Sequence, residues 1–216
     1  DGYGPNVRLL EQNLENEIDN IIFLDCGSNS HDVVNYLKSK KIKTIIVDHH
    51  VINNLDLPKS DVFINTKKKS LKSNDKNVCA ATLTFFLVDL INKKLNSKFE
   101  LDDVFIFCLI STICDLMPLR GFNRKILTIG FKNLIIKNKG LKKLISNNVK
   151  NKLTFNDIGF NIGPLINSSG RVAKANDVVK LFLSQNDDEI DKIIDNMNYH
   201  NISRKKIEQE NLELID

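Results

Sequence analysis

Thr44-Ile45-Ile46-Val47-Asp48-His49-His50 is the stretch on which the reading of this chain turns. Four β-branched residues in succession leave no polar face for water. Such a run reads as a strand covered on both sides, the condition of strands in a parallel sheet. Working outward, Ile21-Ile22-Phe23-Leu24 is a second run of this kind and ends at Asp25. Asp61-Val62-Phe63-Ile64-Asn65 is a third. Cys26-Gly27-Ser28-Asn29-Ser30 carries turn and N-cap chemistry, and the helix it opens, His31 to Lys40, turns Val33, Val34 and Leu37 to one side. Strand, helix, strand in this order predicts parallel pairing with right-handed crossovers. Upstream, Val7, Leu10, Leu14 and Ile18 recur at helical spacing, which predicts a helix from Asn6 to Ile18.

Beyond the third strand the pattern turns helical. Helices are expected at Val78 to Leu95, Leu101 to Cys114, Asn123 to Ile136 and Leu141 to Ser146. The second of these is apolar almost all round and should be buried. Gly163-Pro164 and Gly170 interrupt the pattern and predict a polar loop carrying Arg171. From Asp187 to Asp216 a long amphipathic helix places Ile190, Ile193, Ile194, Met197 and Ile207 on one side. The expectation is therefore an α/β fold. A parallel sheet with flanking helices leads into a mostly helical region and a long C-terminal connecting helix. Residues 1–185 form one domain in this reading, and 186–216 form the connecting helix.

Composition narrows the class. Of the 216 residues 42% are hydrophobic and 27% charged, as in globular proteins. No apolar run approaches the ~20 residues of a membrane-spanning helix, and no secretory signal is evident. The four cysteines, Cys26, Cys79, Cys108 and Cys114, form no CxxC pair and read as reduced, mostly buried thiols of a cytoplasmic protein. A net charge of +4 permits a polyanionic partner without demanding one. The run Thr66 to Lys72 reads as a solvated loop ahead of a binding patch. Tryptophan is absent and the phenylalanines mostly sit in apolar runs, so no base-stacking platform can be picked out.

Three carboxylates close apolar runs: Asp25, Asp48 and Asp115. Ligands of open α/β sheets sit outside the C-terminal ends of the strands, so Asp25 and the Asp48-His49-His50 cluster share one rim. Carboxylates with imidazole suit Mn²⁺ or Mg²⁺ better than a thiolate zinc site. Each residue also has a plainer use. Asp25 could cap the next helix, Asp115 could stop its own helix ahead of Pro118, and Cys26 could merely pack. Adjacent histidines after a strand-ending Asp are harder to explain as packing. His31 and His200 fall on expected helices and carry no assignment.

These residues resemble the DHH phosphoesterase family. Asp48-His49-His50 after its strand looks like the tripeptide that names the family, and Leu24-Asp25-Cys26-Gly27-Ser28 resembles its second motif. Ser111-Thr112-Ile113-Cys114-Asp115-Leu116-Met117-Pro118-Leu119 with Asn123-Arg124 is similar to a segment of the family's single-strand-specific exonucleases. So is Gly163-Pro164-Leu165-Ile166-Asn167-Ser168-Ser169-Gly170-Arg171, and Asp1-Gly2-Tyr3-Gly4 fits the stretch that follows the first motif of those exonucleases. The resemblance implies two-metal hydrolysis of single-stranded DNA, 5′→3′, in repair and recombination. It implies Asp25, His49 and Asp115 as ligands of Mn²⁺ or Mg²⁺. His50 would meet the scissile phosphate and Asp48 would orient an imidazole, though which histidine takes which role stays open. Asn167, Ser168 and Arg171 would bind substrate. It further implies a monomer, with a single-strand-binding protein or repair helicase as partner. An acidic DxDxDG run is expected upstream of Asp1 and a DHHA1 domain downstream of Asp216, so that residues 1–216 alone would be inactive. Two other readings stay open: a phosphodiesterase of short oligonucleotides or cyclic dinucleotides, and a non-catalytic replication scaffold.

Overall fold

The computed structural model describes residues 4–14, 17–71, 76–172 and 176–213, the side chains of Asp103, Ser169, Arg171, Val172 and Leu212 excepted. The chain divides into two compact units, Asp1–Leu127 and Thr128–Asp216. No helix among the described residues is long and apolar enough to cross a membrane.

The first unit is built on three parallel strands in the order β1-β2-β3: β1 Asn20–Leu24, β2 Lys43–Asp48 and β3 Val62–Asn65. All three expected strands are present. Leu24 pairs with Val47 and Asp48 with Asn65, so the polar strand ends line up on one rim. The Asp25 amide still donates to the Val47 carbonyl at 2.9 Å, which carries the ladder one residue past β1.

Helix α1, Val7–Asn13, is shorter than its apolar spacing predicts. Asn6 caps it through Oδ1, which accepts from the Leu9 amide at 2.9 Å, and Leu14 already has extended backbone. Helix α2, His31–Ser39, buries Val33, Val34 and Leu37 against Phe23 of β1 and Ile46 of β2. Each such side chain removed from water contributes about 1.5–3 kcal/mol. Ser30 stands at its N-cap without a side-chain bond, contrary to the capping role expected of that turn. Gly27 sits beneath this layer with φ +97°, and a Cβ there would lie 3.2 Å from Phe23 Cβ. Helix α3, Ala80–Leu95, packs on β1 and β2. Beside α3 runs α4, Asp102–Cys114, whose Ile106, Cys108, Leu109, Ile110 and Ile113 are buried. Cys79 and Cys108 are buried thiols as expected, whereas Cys114, at the last residue of α4, is exposed.

Helix α5, Gly121–Lys132, spans the boundary between the units. The second unit comprises α6 Lys139–Asn148, a π-helical segment Asp157–Ile162, α7 Gly163–Val172, α8 Asn176–Leu183 and α9 Asp187–Glu213. Its core joins Leu141, Leu144, Ile158, Ile162, Leu181, Ile190, Ile194 and Met197. The polar loop expected around Gly163-Pro164 and Gly170 is instead helix, and the backbone of Arg171 lies in the last turn of α7. A regular α-turn would set the Pro164 ring against the carbonyl four residues back. The wider π-turns immediately before it relieve that clash. Farther along α9, Ile207 is 51% exposed and does not share the buried face of Ile190 and Ile194.

Candidate metal centre

The rim formed by the ends of β1 and β2 carries the candidate site. Asp25 follows β1 in left-handed backbone, φ 62°. That conformation is costly for most side chains and concentrates where function holds it. Leu116, next to Asp115, is also left-handed at φ 51°. Asp115 is the C-cap residue of α4. The end of an apolar helix thus delivers a carboxylate to the strand rim.

His49 joins the two. Its Nε2 lies 3.2 Å from Asp25 Oδ1 and 3.9 Å from Asp115 Oδ2. The bond to Asp25 raises the imidazole pKa above its ordinary value, against the opposing pull of burial. Burial raises the Asp115 pKa, and the nearby Asp25 charge pushes it further the same way. Two carboxylates that resist sharing negative charge, with an imidazole nitrogen between them, are the donor set of a hard or borderline divalent cation. Asp25, His49 and His50 also form a group whose ligand atoms all lie within 4.8 Å of one another.

Asp48 faces the other way, into the protein. Its Oδ2 accepts from the Ser28 amide at 3.1 Å. Its Oδ1 accepts from the His49 amide at 2.7 Å and the His50 amide at 3.2 Å, and stands 2.6 Å from His50 Nδ1. Burial alone would raise its pKa, but these donors outweigh burial and hold it below the usual carboxylate range. The hydrogen bond with His50 holds that ring edge-on to His49, with centroids 4.8 Å apart.

Two asparagines, to which the sequence alone gives no role, complete the frame. Asn65, at the end of β3, is buried and donates through Nδ2 to Ser28 Oγ at 2.9 Å and to the His50 carbonyl at 3.0 Å. Asn123 donates to the carbonyls of Asn77 at 2.6 Å and Pro118 at 3.0 Å, which ties down the chain after Asp115. The signal available for Asn65 is a polar residue closing an apolar strand run.

Asn167, Ser168 and Arg171 belong to α7 in the second unit. Asn167 is exposed. Ser168 is fully buried, and its hydroxyl donates to the Leu165 carbonyl at 2.8 Å. The side chain of Arg171 lies outside the described residues.

The chain is similar over nearly its whole length to known proteins. The chain is 28% identical over 224 residues to the single-stranded-DNA-specific exonuclease RecJ of Escherichia coli, covering 97% of this chain and 38% of that protein. It is 28% identical over 216 residues to the RecJ of Bacillus subtilis, covering 96% of this chain and 26% of that protein. The chain therefore spans well under half the length of these curated relatives. Among solved structures, exonuclease RecJ bound to manganese superposes with a TM-score of 0.85 at 23% identity, over 99% of this chain and 54% of that one. The complex of RecJ with Mn²⁺ from Thermus thermophilus superposes with a TM-score of 0.78 at 23% identity, over 90% of this chain and 29% of that one. The model of the DHH family, N-terminal domain, matches residues 3–113. With that match over half its length, the chain belongs to the DHH family.

Proposed function

We propose that this chain is the metal-holding part of an exonuclease that hydrolyses single-stranded DNA from the 5′ end in repair and recombination. One observation carries the reading: Asp25, His49 and Asp115 meet at Nε2 of His49, at 3.2 and 3.9 Å. The donor set fits Mn²⁺ or Mg²⁺, and these three residues would hold the ion. Bound divalent ions supply an activated water and stabilise the leaving oxygen.

The remaining steps belong to the side chains. Asp48, kept ionised by four donors, holds the proton of His50 at Nδ1 and so fixes how that ring presents its other nitrogen. His50 then stands beside the cluster to steady charge developing on the scissile phosphate. Asn65 fixes the carbonyl of the same residue, which limits drift of the backbone that carries both histidines. In the second unit, Arg171 and Asn167 are assigned to substrate phosphate, since guanidinium matches phosphate geometry. Ser168, expected from the sequence to bind substrate, is buried with its hydroxyl on the Leu165 carbonyl, so a contact of its side chain with substrate is not proposed. Residues 1–185 are read as the catalytic domain and 186–216 as its connecting helix. The 5′→3′ polarity follows from the family resemblance.

The test uses the full natural gene product with end-labelled single-stranded DNA, duplex DNA and dinucleotides. Expected are Mn²⁺-dependent release of label from the 5′ end of single strands and loss of that activity in Asp25→Asn. Hydrolysis confined to dinucleotides would overturn the reading in favour of a small-substrate phosphodiesterase.

A further inference from the structure

With twelve phenylalanines and no tryptophan, the sequence hides any surface on which a base could stack. The fold gathers three of these rings. Phe63 from β3, Phe86 from α3 and Phe122 from the first turn of α5 line one cavity of about 570 Å³ in the first unit. That is the size range of small-molecule sites. The rings of Phe86 and Phe122 stand 5.5 Å apart with planes tilted by 44°, a wedge rather than a closed stack. Phe86 is 47% exposed, so part of its ring is open to a ligand. Lys68 also lines the cavity and holds its ammonium 5.4 Å from the centroid of the Phe63 ring. Lys69 follows it on the exposed side of the same turn.

The chemistry of the lining selects a ligand. A partly exposed ring such as Phe86 suits a flat aromatic group. A cationic rim suits an anion. A neutral apolar ligand would make no use of the lysines, and an acidic peptide would make little use of three rings. A nucleotide unit of a single strand carries both partners, its base and its phosphate. The cavity also communicates with the candidate metal centre. Asn65 lines it and, through Nδ2, holds Ser28 Oγ and the His50 carbonyl. A strand seated here would therefore be registered against the backbone of the two histidines.

We infer that this cavity is an accessory nucleotide site, distinct from the metal cluster. It takes one base of a single-stranded DNA on Phe86 and Phe122, and the adjoining phosphate at Lys68. The identity of the polyanion rests on the function proposed above. The run Thr66 to Lys72, which reads as a solvated loop in sequence, supplies through Lys68 the cationic part of this site.

The test is binding without metal. Fluorescent oligothymidylate of about twelve nucleotides is titrated with the 216-residue chain in EDTA and followed by anisotropy. A matching oligonucleotide carrying 5-iodouracil is photo-crosslinked and the adduct located by mass spectrometry. Phe86→Leu keeps apolar bulk but removes the ring, and should weaken binding about tenfold, the loss of one stacked base. Lys68→Glu should weaken binding and flatten its salt dependence by about one counterion or more. Crosslinks should fall on peptides containing Phe86 or Phe122. Wild-type affinity in both variants, with wild-type thermal midpoints, overturns the site, as do crosslinks confined to other peptides. Because metal is absent, such a failure leaves the hydrolytic reading standing. Conversely, binding here together with no hydrolysis by the full gene product would sink the hydrolytic reading alone.

Discussion

Asp48 is buried and accepts from three backbone amides as well as lying 2.6 Å from His50 Nδ1. Asparagine, its neutral isostere, cannot replace it without turning an NH2 donor toward one of these amides. Asp48→Asn should therefore cost about 2–3 kcal/mol in urea unfolding at neutral pH, the scale of a lost charged acceptor. Because the folded pKa of Asp48 is lowered, its contribution is present above the unfolded carboxylate pKa and is lost as pH falls through the folded value. The gap between wild type and Asp48→Asn should thus narrow in acid, and a gap of equal size below pH ~3 would refute this account. Asp25 is a different case. It is left-handed and reaches outward to His49. Asparagine tolerates that backbone, so Asp25→Asn should fold normally while its Mn²⁺ affinity falls by more than about a hundredfold by calorimetry, beyond the roughly 10–100-fold loss of a residue that only supports a ligand. The raised pKa of His49 adds a pH dependence. The ion must displace a proton held more tightly than usual, so affinity should weaken as pH falls through the upper imidazole range, with proton release on binding. Buffers of different ionisation enthalpy would report that release, and its absence near neutral pH would remove His49 from the ligand set.

At the scale of elements, what the sequence discloses depends on how local the cause is. β1 and β2 were legible because continuous β-branched and apolar runs have few other uses in a chain of this class, and the strands found extend the runs by a residue or two at their ends. Asp25, Asp48 and Asp115 stand out as candidates because each closes an apolar run, and His49 and His50 because they follow Asp48 directly. Asn65 was not legible as a site residue, since its bonds depend on the register that sets it opposite Asp48. Nor was the phenylalanine cavity, which needs β3, α3 and α5 assembled around it. The helix carrying Arg171 was missed because Gly and Pro ordinarily interrupt helices, and the π-turns that accommodate Pro164 leave no signature in residue spacing. Gly140 shows the same contest between local and tertiary causes. Helix propensity alone predicts that Gly140→Ala in α6 would gain up to about 1 kcal/mol. Yet a Cβ there would lie 2.0 Å from the Leu181 carbonyl oxygen of α8. Backbone cannot yield as a flexible side chain does, so the steric term should win. The variant should lose about 3 kcal/mol, and a raised unfolding midpoint would show that α6 and α8 approach less closely than the structure indicates.

At the scale of the whole chain, the metal centre is a place where folding concentrates like charge. Asp25 and Asp115 converge on one imidazole, and the Asp25 charge makes Asp115 harder to ionise. Without an ion, bringing them together opposes folding. With one, the same arrangement becomes a source of stability, because the unfolded chain offers no assembled site. The linkage is quantitative: free ion at about a hundred times its Kd stabilises the folded state by about 2.7 kcal/mol. Mn²⁺ should therefore raise the thermal midpoint of the 216-residue chain, EDTA should reverse the rise, and Asp25→Asn should abolish it. Among the described residues one group of three or more ligating side chains is gathered, so calorimetry should give one ion per chain, held weakly. A second ion would require carboxylates beyond Asp25, Asp48 and Asp115 to reach the rim. A thermal shift retained in Asp25→Asn would place the ion elsewhere in the chain. The two readouts separate the number of ions from their location, which a measurement of nuclease activity alone cannot do.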